Sequence, residues 1–344
     1  VSYEALTINM LIATEFINLH SREEYAKLAE PKNWIMKKRK RFAGTVVLHI
    51  YQRTTSRGLI FYSVKDFLVF FTVFSRYAEQ HHVRILGLCL MFDHIHILIE
   101  SDSQKTVSAF IHDYTTVFAR MFNRRYGLKG PLFDRFGMAD KLSDKAKRTA
   151  LAYVYNNPVE ARLCKSAEQW QWNFLAYARS RNPFSKPVVL RSASAGLRRA
   201  IRVVNDERGH RRHLTYGWLD RLFDGLTLAE SKQLADYIVT TYSVIDHKRA
   251  IRFYGSYERM LLAFRSNTGS EYEIREDFDH HSGRAYIKMA NFVAREKPFR
   301  NMGDLFKLPA EEKAVYANKL LACCGAAPYQ VRKFLHIPVE RKSM

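Results

Sequence analysis

The sequence predicts an α+β fold, with one antiparallel sheet, flanking helices and a mainly helical C-terminal domain. The first observation is the order of segments between residues 45 and 157: strand, helix, strand, strand, helix, strand-like segment, helix. The second is the dominance of helical spacing after residue 196. A chain of 344 residues with 47% hydrophobic residues is long enough for two domains with buried cores.

In the first half of the predicted sheet domain, strands precede and follow one helix along the chain. Residues 45–51 form a β-branched run, and residues 59–63 are predicted as a second strand that pairs with it in a hairpin. Apolar residues at helical spacing predict a helix over 65–80. Residues 83–92 and 94–100 then predict two antiparallel strands, separated by a single residue.

Two more helices follow in the sheet domain. The first is predicted by an apolar stripe at helical spacing that consists of Val107, Phe110, Ile111, Tyr114, Phe118, Met121 and Phe122. It ends near Gly127, with basic residues in its last turn. Residues 128–141 predict a loop or a short strand. Ser143 is a suitable N-cap for a helix that runs to about Asn156 and is stopped by Pro158.

The chain carries a large positive charge, with 55 Lys and Arg against 34 Asp and Glu and a formal net charge of +21. Such an excess favours a polyanionic partner. Basic clusters occur at 198–199, at 211–212 and near the N-terminus. There, Lys38, Arg39 and Arg41 are candidate phosphate contacts, which would position a nucleic acid without reading its sequence. A solvated basic surface is the alternative for each cluster.

Two classes of protein are disfavoured. The apolar stretch 6–19 is interrupted by polar residues, namely Thr7, Asn9, Thr14, Glu15 and Asn18. We therefore expect no membrane span and no signal peptide. The four cysteines form no CxxC pair, which argues against a zinc knuckle or a disulfide scaffold and favours a reducing cytoplasm.

The segment His94-Ile95-His96 offers a possible metal site. On a strand, both imidazoles would point to one face, while Ile95 and Ile97 would point to the core. Residues two apart on a strand have Cα atoms roughly 6 to 7 Å apart, so the two rings can converge on one divalent cation. Because the chain has 13 histidines, a chance HxH is common, and a structural role is an equal alternative for this motif alone.

A second motif, Tyr-Val-Tyr-Asn-Asn-Pro-Val at 153–159, closes a predicted helix. Tyr153 and Asn157 are four residues apart and share a helix face, which could place a phenol nucleophile beside an amide oxygen ligand. Tyr155 is the rival nucleophile. It lies about 200° around the helix, so both phenols cannot face one metal ion. Ordinary packing is the alternative for each of the 19 tyrosines.

Together these motifs resemble the single-tyrosine HUH transposase family. The resemblance rests on the strand ending in HxH, the long helix after it, the Gly-Pro-Leu-Phe-Asp-Arg segment at 130–135, and Tyr-x-x-x-Asn-Pro-Val with Ala161 after it. The Asn-Pro-Val form, with Trp170 and Trp172 close behind, is most similar to the REP-associated tyrosine transposases. The resemblance covers roughly residues 42–178.

This resemblance implies a ferredoxin-like or RRM-like core with a defined reacting centre. His94 and His96 match the family's HUH histidines, Tyr153 matches its nucleophile, and Asn157 matches a third, amide ligand. The implied cofactor is Mg²⁺ or Mn²⁺, without a nucleotide, although zinc or iron would also suit two histidines. The implied substrate is single-stranded DNA with hairpin structure, cleaved to a 5′-phosphotyrosine and a free 3′-hydroxyl. Arg135 is a further candidate DNA contact.

The domain boundaries follow from composition and from the extent of the resemblance. Residues 1–41 are predicted as a basic N-terminal extension, 42–180 as the HUH catalytic domain and 181–195 as a linker with Pro and Ser. Residues 196–344 are predicted as a helical domain.

Near the C-terminus, residues 310–337 resemble a helix-turn-helix with Gly325 in the turn. Gln330, Arg332 and Lys333 would then face duplex DNA. A plain helical hairpin is an equal alternative.

The leading interpretation is a bacterial enzyme of DNA transposition and recombination, a single-strand endonuclease and strand transferase that works in the cytoplasm at the nucleoid. One alternative is a domesticated sequence-specific DNA-binding protein or repressor that keeps the fold without turnover. Another is a replication-initiator or relaxase-type HUH nuclease. The sequence leaves the presence of a homodimer open.

Overall fold

The fold is taken from a computed structural model that describes residues 44–55, 58–266, 282–296, 299 and 302–337. The predicted N-terminal extension lies outside the described residues, and so do its candidate DNA contacts, Lys38, Arg39 and Arg41.

One four-stranded antiparallel sheet lies at the centre of the first half of the chain, in the order β2-β3-β1-β4. Its strands are β1 (Val46–Arg53), β2 (Arg84–Leu90), β3 (His94–Ser101) and β4 (Gly137–Lys141). One helix connects β1 to β2 and another connects β3 to β4, which gives the ferredoxin-like arrangement. The predicted α+β fold with an antiparallel sheet is confirmed.

Two helices cover one face of this sheet, α1 (Val64–Gln80) and α2 (Gln104–Tyr126). Ile95 and Ile97 of β3 point toward them and belong to the same hydrophobic core. The α2 helix ends at Gly127, whose φ of 68° is a left-handed conformation that suits glycine. Since neighbouring residues of a strand alternate between faces, the histidines of β3 lie on the opposite face.

That opposite face is covered by helix α3 (Asp144–Glu160). The Ser143 side chain caps it by accepting a hydrogen bond from the backbone N–H of Ala146. The helix runs past Pro158, the residue predicted to stop it, because a proline in the last turn removes one hydrogen bond without blocking the residues that follow. Tyr153 and Asn157 thereby lie over β3.

The segment 58–63 is a buried loop, and the predicted strand there is wrong. The backbone N–H groups of Ile60 and Phe61 both donate to the carbonyl oxygen of Phe92, at 2.7 and 3.3 Å. The loop is therefore hydrogen-bonded to Phe92, just after β2, and does not pair along β1. Its apolar side chains are buried in the core. A short apolar run of this kind has the sequence pattern of a buried strand, which explains the wrong prediction.

The described residues from 167 onward are mainly helical, as predicted. Three short 3-10 helices over 167–178 lead into this region. The helices are α4 (Ala195–Gly209), α5 (Tyr216–Phe223), α6 (Leu228–Tyr242), α7 (His247–Arg252), α8 (Tyr257–Ser266), α9 (Arg284–Arg295), α10 (Met302–Phe306), α11 (Ala310–Cys324) and α12 (Pro328–Phe334). In the described ranges, no helix combines the length and the apolar character needed to cross a membrane.

These C-terminal helices pack directly on the sheet and on α1. The backbone N–H of Leu214 donates to the Thr72 hydroxyl of α1 at 3.1 Å. Arg249 of α7 forms an ion pair at 2.9 Å with Glu100 of β3, whose side chain is 4% exposed. The two halves therefore share one hydrophobic core. Contacts of this kind do not define where a domain begins, so the boundaries proposed from the sequence stay predictions.

The carboxylate of Asp66 joins three helices inside this shared core. It accepts hydrogen bonds from the hydroxyls of Tyr126 in α2 (2.8 Å) and Tyr216 in α5 (2.7 Å), and from the backbone N–H of Ser63 (2.7 Å). Asp66→Ala leaves these donors without an acceptor, so we expect urea unfolding to show a loss of about 3 to 5 kcal/mol. Replacement of the exposed Asp102 by alanine is the control, with a change within about 0.5 kcal/mol. A loss below about 1 kcal/mol for Asp66→Ala would contradict the expectation.

Candidate active site

Strand pairing assembles polar side chains on the face of the sheet that α3 covers. In the antiparallel register of β1 and β3, Tyr51 is opposite His96 and Arg53 is opposite His94. Paired residues of neighbouring strands project on the same side. His49, two residues before Tyr51, lies on this side as well, so two strands supply five polar residues to one patch.

The amide of Asn157 lies between the two imidazoles. Its Oδ1 is 3.2 Å from His94 Nε2, and its Nδ2 is 3.0 Å from His96 Nε2. The structure thus brings together the three residues predicted as metal ligands. His96 and Asn157 are buried, whereas the His94 side chain is 13% exposed, so the patch reaches solvent beside His94.

Tyr153 lies against the same patch, one helical turn before Asn157. Its ring is edge-on to His96, with centroids 5.2 Å apart and an interplanar angle of 85°, and edge-on to His49 at 5.6 Å and 80°. The side chain is completely buried. The predicted nucleophile is therefore next to the histidines, and it is shielded from solvent in this conformation.

Tyr155 points away from the two site histidines. Its hydroxyl donates to the carbonyl oxygen of Leu86 at 3.4 Å, and its ring packs against Phe264. Burial raises the pKa of this phenol above its ordinary value. The two tyrosines of the motif thus occupy different faces of α3, as the helical spacing predicts.

His49 supports His96 from the neighbouring strand. Its Nε2 lies 3.2 Å from His96 Nδ1, and the two rings stack with centroids 5.4 Å apart. Burial, followed by the charge of Lys141, lowers the pKa of His49 to about 3. Burial, followed by the charges of His94 and His49, holds the pKa of His96 well below its ordinary value. Both rings are therefore neutral at neutral pH.

Asp93 supports His94 in a similar way. One carboxylate oxygen lies 2.7 Å from His94 Nδ1, and the other accepts a hydrogen bond from the Lys333 amine at 2.8 Å. Burial alone would raise the pKa of Asp93, but the charges of Lys333 and His94 outweigh it and hold the pKa well below its usual range. An ionised carboxylate accepts the Nδ1 proton, which leaves Nε2 as the nitrogen that faces Asn157.

This donor set fits a divalent metal ion. Two imidazole nitrogens and one amide oxygen converge, and these neutral donors leave the remaining coordination positions to solvent or phosphate oxygens. No group of three His, Cys, Asp or Glu residues within the described ranges could hold a metal. A metal ion held here by His94 and His96 would therefore take Asn157 as its third donor.

The predicted DNA contacts fall into different surroundings. Arg135 is exposed beside β4. Gln330 is 1% exposed and donates to the Ser282 carbonyl oxygen at 3.2 Å, and Arg332 is 5% exposed. Lys333 is held by Asp93. Gln330 and Arg332 are therefore buried, and Lys333 is bonded to Asp93. The contacts of these three residues of α12 with duplex DNA stay a prediction.

Helices α11 and α12 are joined by a turn in which Gly325 has a φ of 60°. Val331 and Phe334 of α12 are buried in the core. A helix-turn-helix and a plain helical hairpin both contain such a turn, so the DNA-binding motif stays a prediction.

Sequence reasoning missed several residues of the site. His49, Tyr51 and Arg53 alternate along β1, and this period of two could have indicated a polar face. Asp93 directly precedes the HxH motif, and histidines that bind a metal often donate their second ring N–H to a carboxylate. No local signal connects Lys333 with this region, since it lies 240 residues from Asp93.

The segment that carries this geometry is similar to known proteins. One solved structure, described as a REP-associated tyrosine transposase bound to a REP hairpin, is similar at 16% identity and a TM-score of 0.33, over 40% of this chain and 80% of that one. The chain matches none of the curated proteins. The family model described as transposase, IS200 like, matches residues 44–157. The resemblance to single-tyrosine transposases is therefore confirmed over residues 44–157. This segment contains the two histidines, the tyrosine and the asparagine of the site, and it matches the IS200-like transposase family.

Proposed function

We propose that this chain is a metal-dependent DNA strand transferase of the transposase type. It would cleave hairpin-bearing single-stranded DNA through a 5′-phosphotyrosine bond at Tyr153 and rejoin strands by the reverse step. The observation that carries the proposal is the convergence of His94, His96 and the Asn157 amide beside the Tyr153 ring. The family match over residues 44–157 supports the same class of reaction.

The proposed reaction is a phosphoryl transfer without net loss of bond energy. The phenol oxygen of Tyr153 attacks the phosphorus, an O–P bond forms, and the P–O3′ bond breaks. The phenol loses a proton, and the 3′-oxygen gains one to become a free hydroxyl. Because one phosphodiester replaces another, no nucleotide cofactor is required. Held by His94, His96 and Asn157, Mg²⁺ or Mn²⁺ would polarise the scissile phosphate and favour the phenolate.

The charge of the chain supports a DNA substrate. The net charge is +21, and the basic pairs at 198–199 and 211–212 are exposed, as is Arg135. Exposed lysines and arginines hold a phosphate backbone without reading its sequence. We infer that the protein acts on DNA in the cytoplasm, at the nucleoid. Contact with duplex DNA through the C-terminal helices and formation of a homodimer belong to the proposal as further predictions.

One observation favours a second function, a DNA-binding protein without turnover. The Tyr153 side chain is completely buried, and a nucleophile must reach the scissile phosphate. Turnover therefore requires the patch to open beside the partly exposed His94. A protein that has lost turnover has no such requirement.

The test is covalent capture of single-stranded hairpin DNA in the presence of Mn²⁺. Hairpins with randomised flanking sequence are labelled at either end, incubated with the full chain and run on a denaturing gel. We expect a protein adduct that retains a 3′-end label, together with a released 5′-labelled fragment that ends in a 3′-hydroxyl. A chelator should prevent both. Hairpin binding without an adduct on any substrate would replace this proposal with the DNA-binding protein.

His49 gives a sharper test of the proposed metal site. His49→Ala removes both the stacked ring and the hydrogen bond to His96 Nδ1, so His96 is free to turn. We expect the Mn²⁺ affinity measured by titration calorimetry to fall about tenfold or more. His49→Gln, which keeps a polar partner, should recover part of the loss. His112→Ala, at an exposed position on α2, is the control and should bind like the wild type. Unchanged binding by His49→Ala would exclude this supporting role.

A further inference from the structure

We propose that helix α12, near the C-terminal end of the chain, is part of the reacting centre, and that Lys333 is a positioning residue that orients His94 through Asp93. The chemical role of His94 rests on the proposed function. The assignment of Lys333 rests on the geometry of the described residues.

The connection consists of three successive polar contacts. The Lys333 amine lies 2.8 Å from one oxygen of Asp93, the other oxygen lies 2.7 Å from His94 Nδ1, and His94 Nε2 lies 3.2 Å from Asn157 Oδ1. Each oxygen of the carboxylate has its own partner, so Asp93 cannot rotate without losing one of them. With Nδ1 donating to Asp93, the opposite nitrogen of the neutral ring carries a lone pair beside the Asn157 oxygen, and the two atoms could bind one metal ion together.

These contacts are shielded from water. The side chains of Lys333, Asp93 and His94 are 16%, 17% and 13% exposed. Ion pairs on an open surface hold their partners weakly because solvent and salt screen them. A shielded pair is screened much less and restricts both side chains. Lys333 therefore holds Asp93 in a way that a surface lysine would not.

The backbone of α12 is fixed to the buried loop 58–63. The Leu59 N–H donates to the Lys333 carbonyl oxygen at 3.4 Å, and the Tyr62 hydroxyl donates to the Phe334 carbonyl oxygen at 3.0 Å. The His336 ring lies 3.0 Å from the Leu59 carbonyl oxygen. The position of the lysine is thus set by contacts that are independent of Asp93.

The same loop is attached to the turn that carries Asp93. Ile60 donates from its backbone N–H to the Phe92 carbonyl oxygen at 2.7 Å. Loop 58–63 therefore connects α12 with the turn between β2 and β3. Removal of α12 would take away both the amine and one side of this support. We infer that the segment matching the transposase family needs the C-terminal helix for an ordered site.

The test compares Lys333→Met, which keeps an unbranched stem of four heavy atoms and removes the amine, with Lys319→Met in α11. Lys319 is 45% exposed and lies 3.9 Å from Glu296, so it serves as the matched control. Two quantities are measured on the full chain: Mn²⁺ affinity, from the free-ion signal in electron paramagnetic resonance, and the protonated ring nitrogen of His94, from ¹⁵N NMR of the metal-free protein. Neither depends on DNA cleavage.

We expect Lys333→Met to weaken Mn²⁺ binding about tenfold and to mix the two neutral tautomers of His94, while Lys319→Met matches the wild type. Asp93→Ala should have the same effect, and adding Lys333→Met to it should change nothing further. Wild-type Mn²⁺ affinity and an unchanged His94 tautomer in Lys333→Met would overturn the inference.

If Lys333→Met fails to fold, the tautomer of His94 in the wild type becomes the deciding measurement. At a pH where the His94 ring is neutral, its proton must be on Nδ1, and a proton on Nε2 would overturn the inference. Failure of the proposed function is a separate result, because it is the absence of a DNA adduct from the wild type. If the wild type forms the adduct but Lys333→Met leaves Mn²⁺ affinity and the His94 tautomer unchanged, the proposed function stands and only the inference about Lys333 is refuted.

Discussion

Tyr153→Phe is expected to abolish the covalent protein–DNA adduct, with a loss of at least about 10⁴-fold in its rate of formation. The change removes one hydroxyl and keeps the ring that packs edge-on against His96 and His49. The fold and the metal site should therefore persist, and Mn²⁺ binding should stay within about twofold of the wild type. The measurement is the denaturing-gel assay with 3′-labelled hairpin DNA.

Tyr155→Phe is the matched control for this prediction. It removes a hydroxyl from the same helix, but from one that is bonded to the Leu86 carbonyl oxygen away from the histidines. We expect a normal adduct and a loss of about 1 kcal/mol or less in the free energy of unfolding. If Tyr155→Phe lost the adduct and Tyr153→Phe kept it, the nucleophile would be Tyr155.

Asn157→Leu is expected to have the second largest effect, because it replaces the third donor of the site with an apolar side chain of similar size. The two imidazoles would face no oxygen from α3, so Mn²⁺ affinity should fall by about 100-fold and the adduct should become undetectable at low Mn²⁺. Asn157→Asp supplies an oxygen at the same place and should bind Mn²⁺ at least as tightly as the wild type. Calorimetric titration with Mn²⁺ measures both.

Asn156 provides the control within the same motif. Its amide donates to the Phe264 carbonyl oxygen at 2.8 Å, on the side of α3 that faces α8. Asn156→Ala should lower the free energy of unfolding by about 1 to 2 kcal/mol and leave Mn²⁺ binding unchanged. If both asparagine variants reduced Mn²⁺ binding equally, the loss would reflect the helix as a whole, and Asn157 would not be a ligand.

The long periodic elements could be predicted from the sequence because their signals are local. The apolar stripe of α2 and its terminal Gly127 gave a helix close to the observed Gln104–Tyr126. The loop at 58–63 could not be predicted in this way. Its apolar residues are buried like those of a strand, and the difference lies in the partner, since Ile60 and Phe61 bond to Phe92 instead of to β1.

In the candidate site, too, the features set by local spacing could be predicted, and those set by distant contacts could not. His94 and His96 are two apart on a strand, and Tyr153 and Asn157 are four apart on a helix, so each pair could be assigned to one face from the sequence. That the strand face and the helix face meet was inferred from resemblance. The support from His49 depends on the register of β1 against β3, and no local pattern gives a register between strands that lie far apart in sequence.

The contact between Lys333 and Asp93 has a consequence for the genetic history of such a chain. A stop codon just before α12 would leave residues 44–157 intact, and the shortened product would still match the transposase family. Its histidine, tyrosine and asparagine codons would be unchanged, yet Asp93 would have lost the amine that holds it. Gene copies that decay from the 3′ end would then lose the support of the proposed site before they lose any codon of the segment that matches the family.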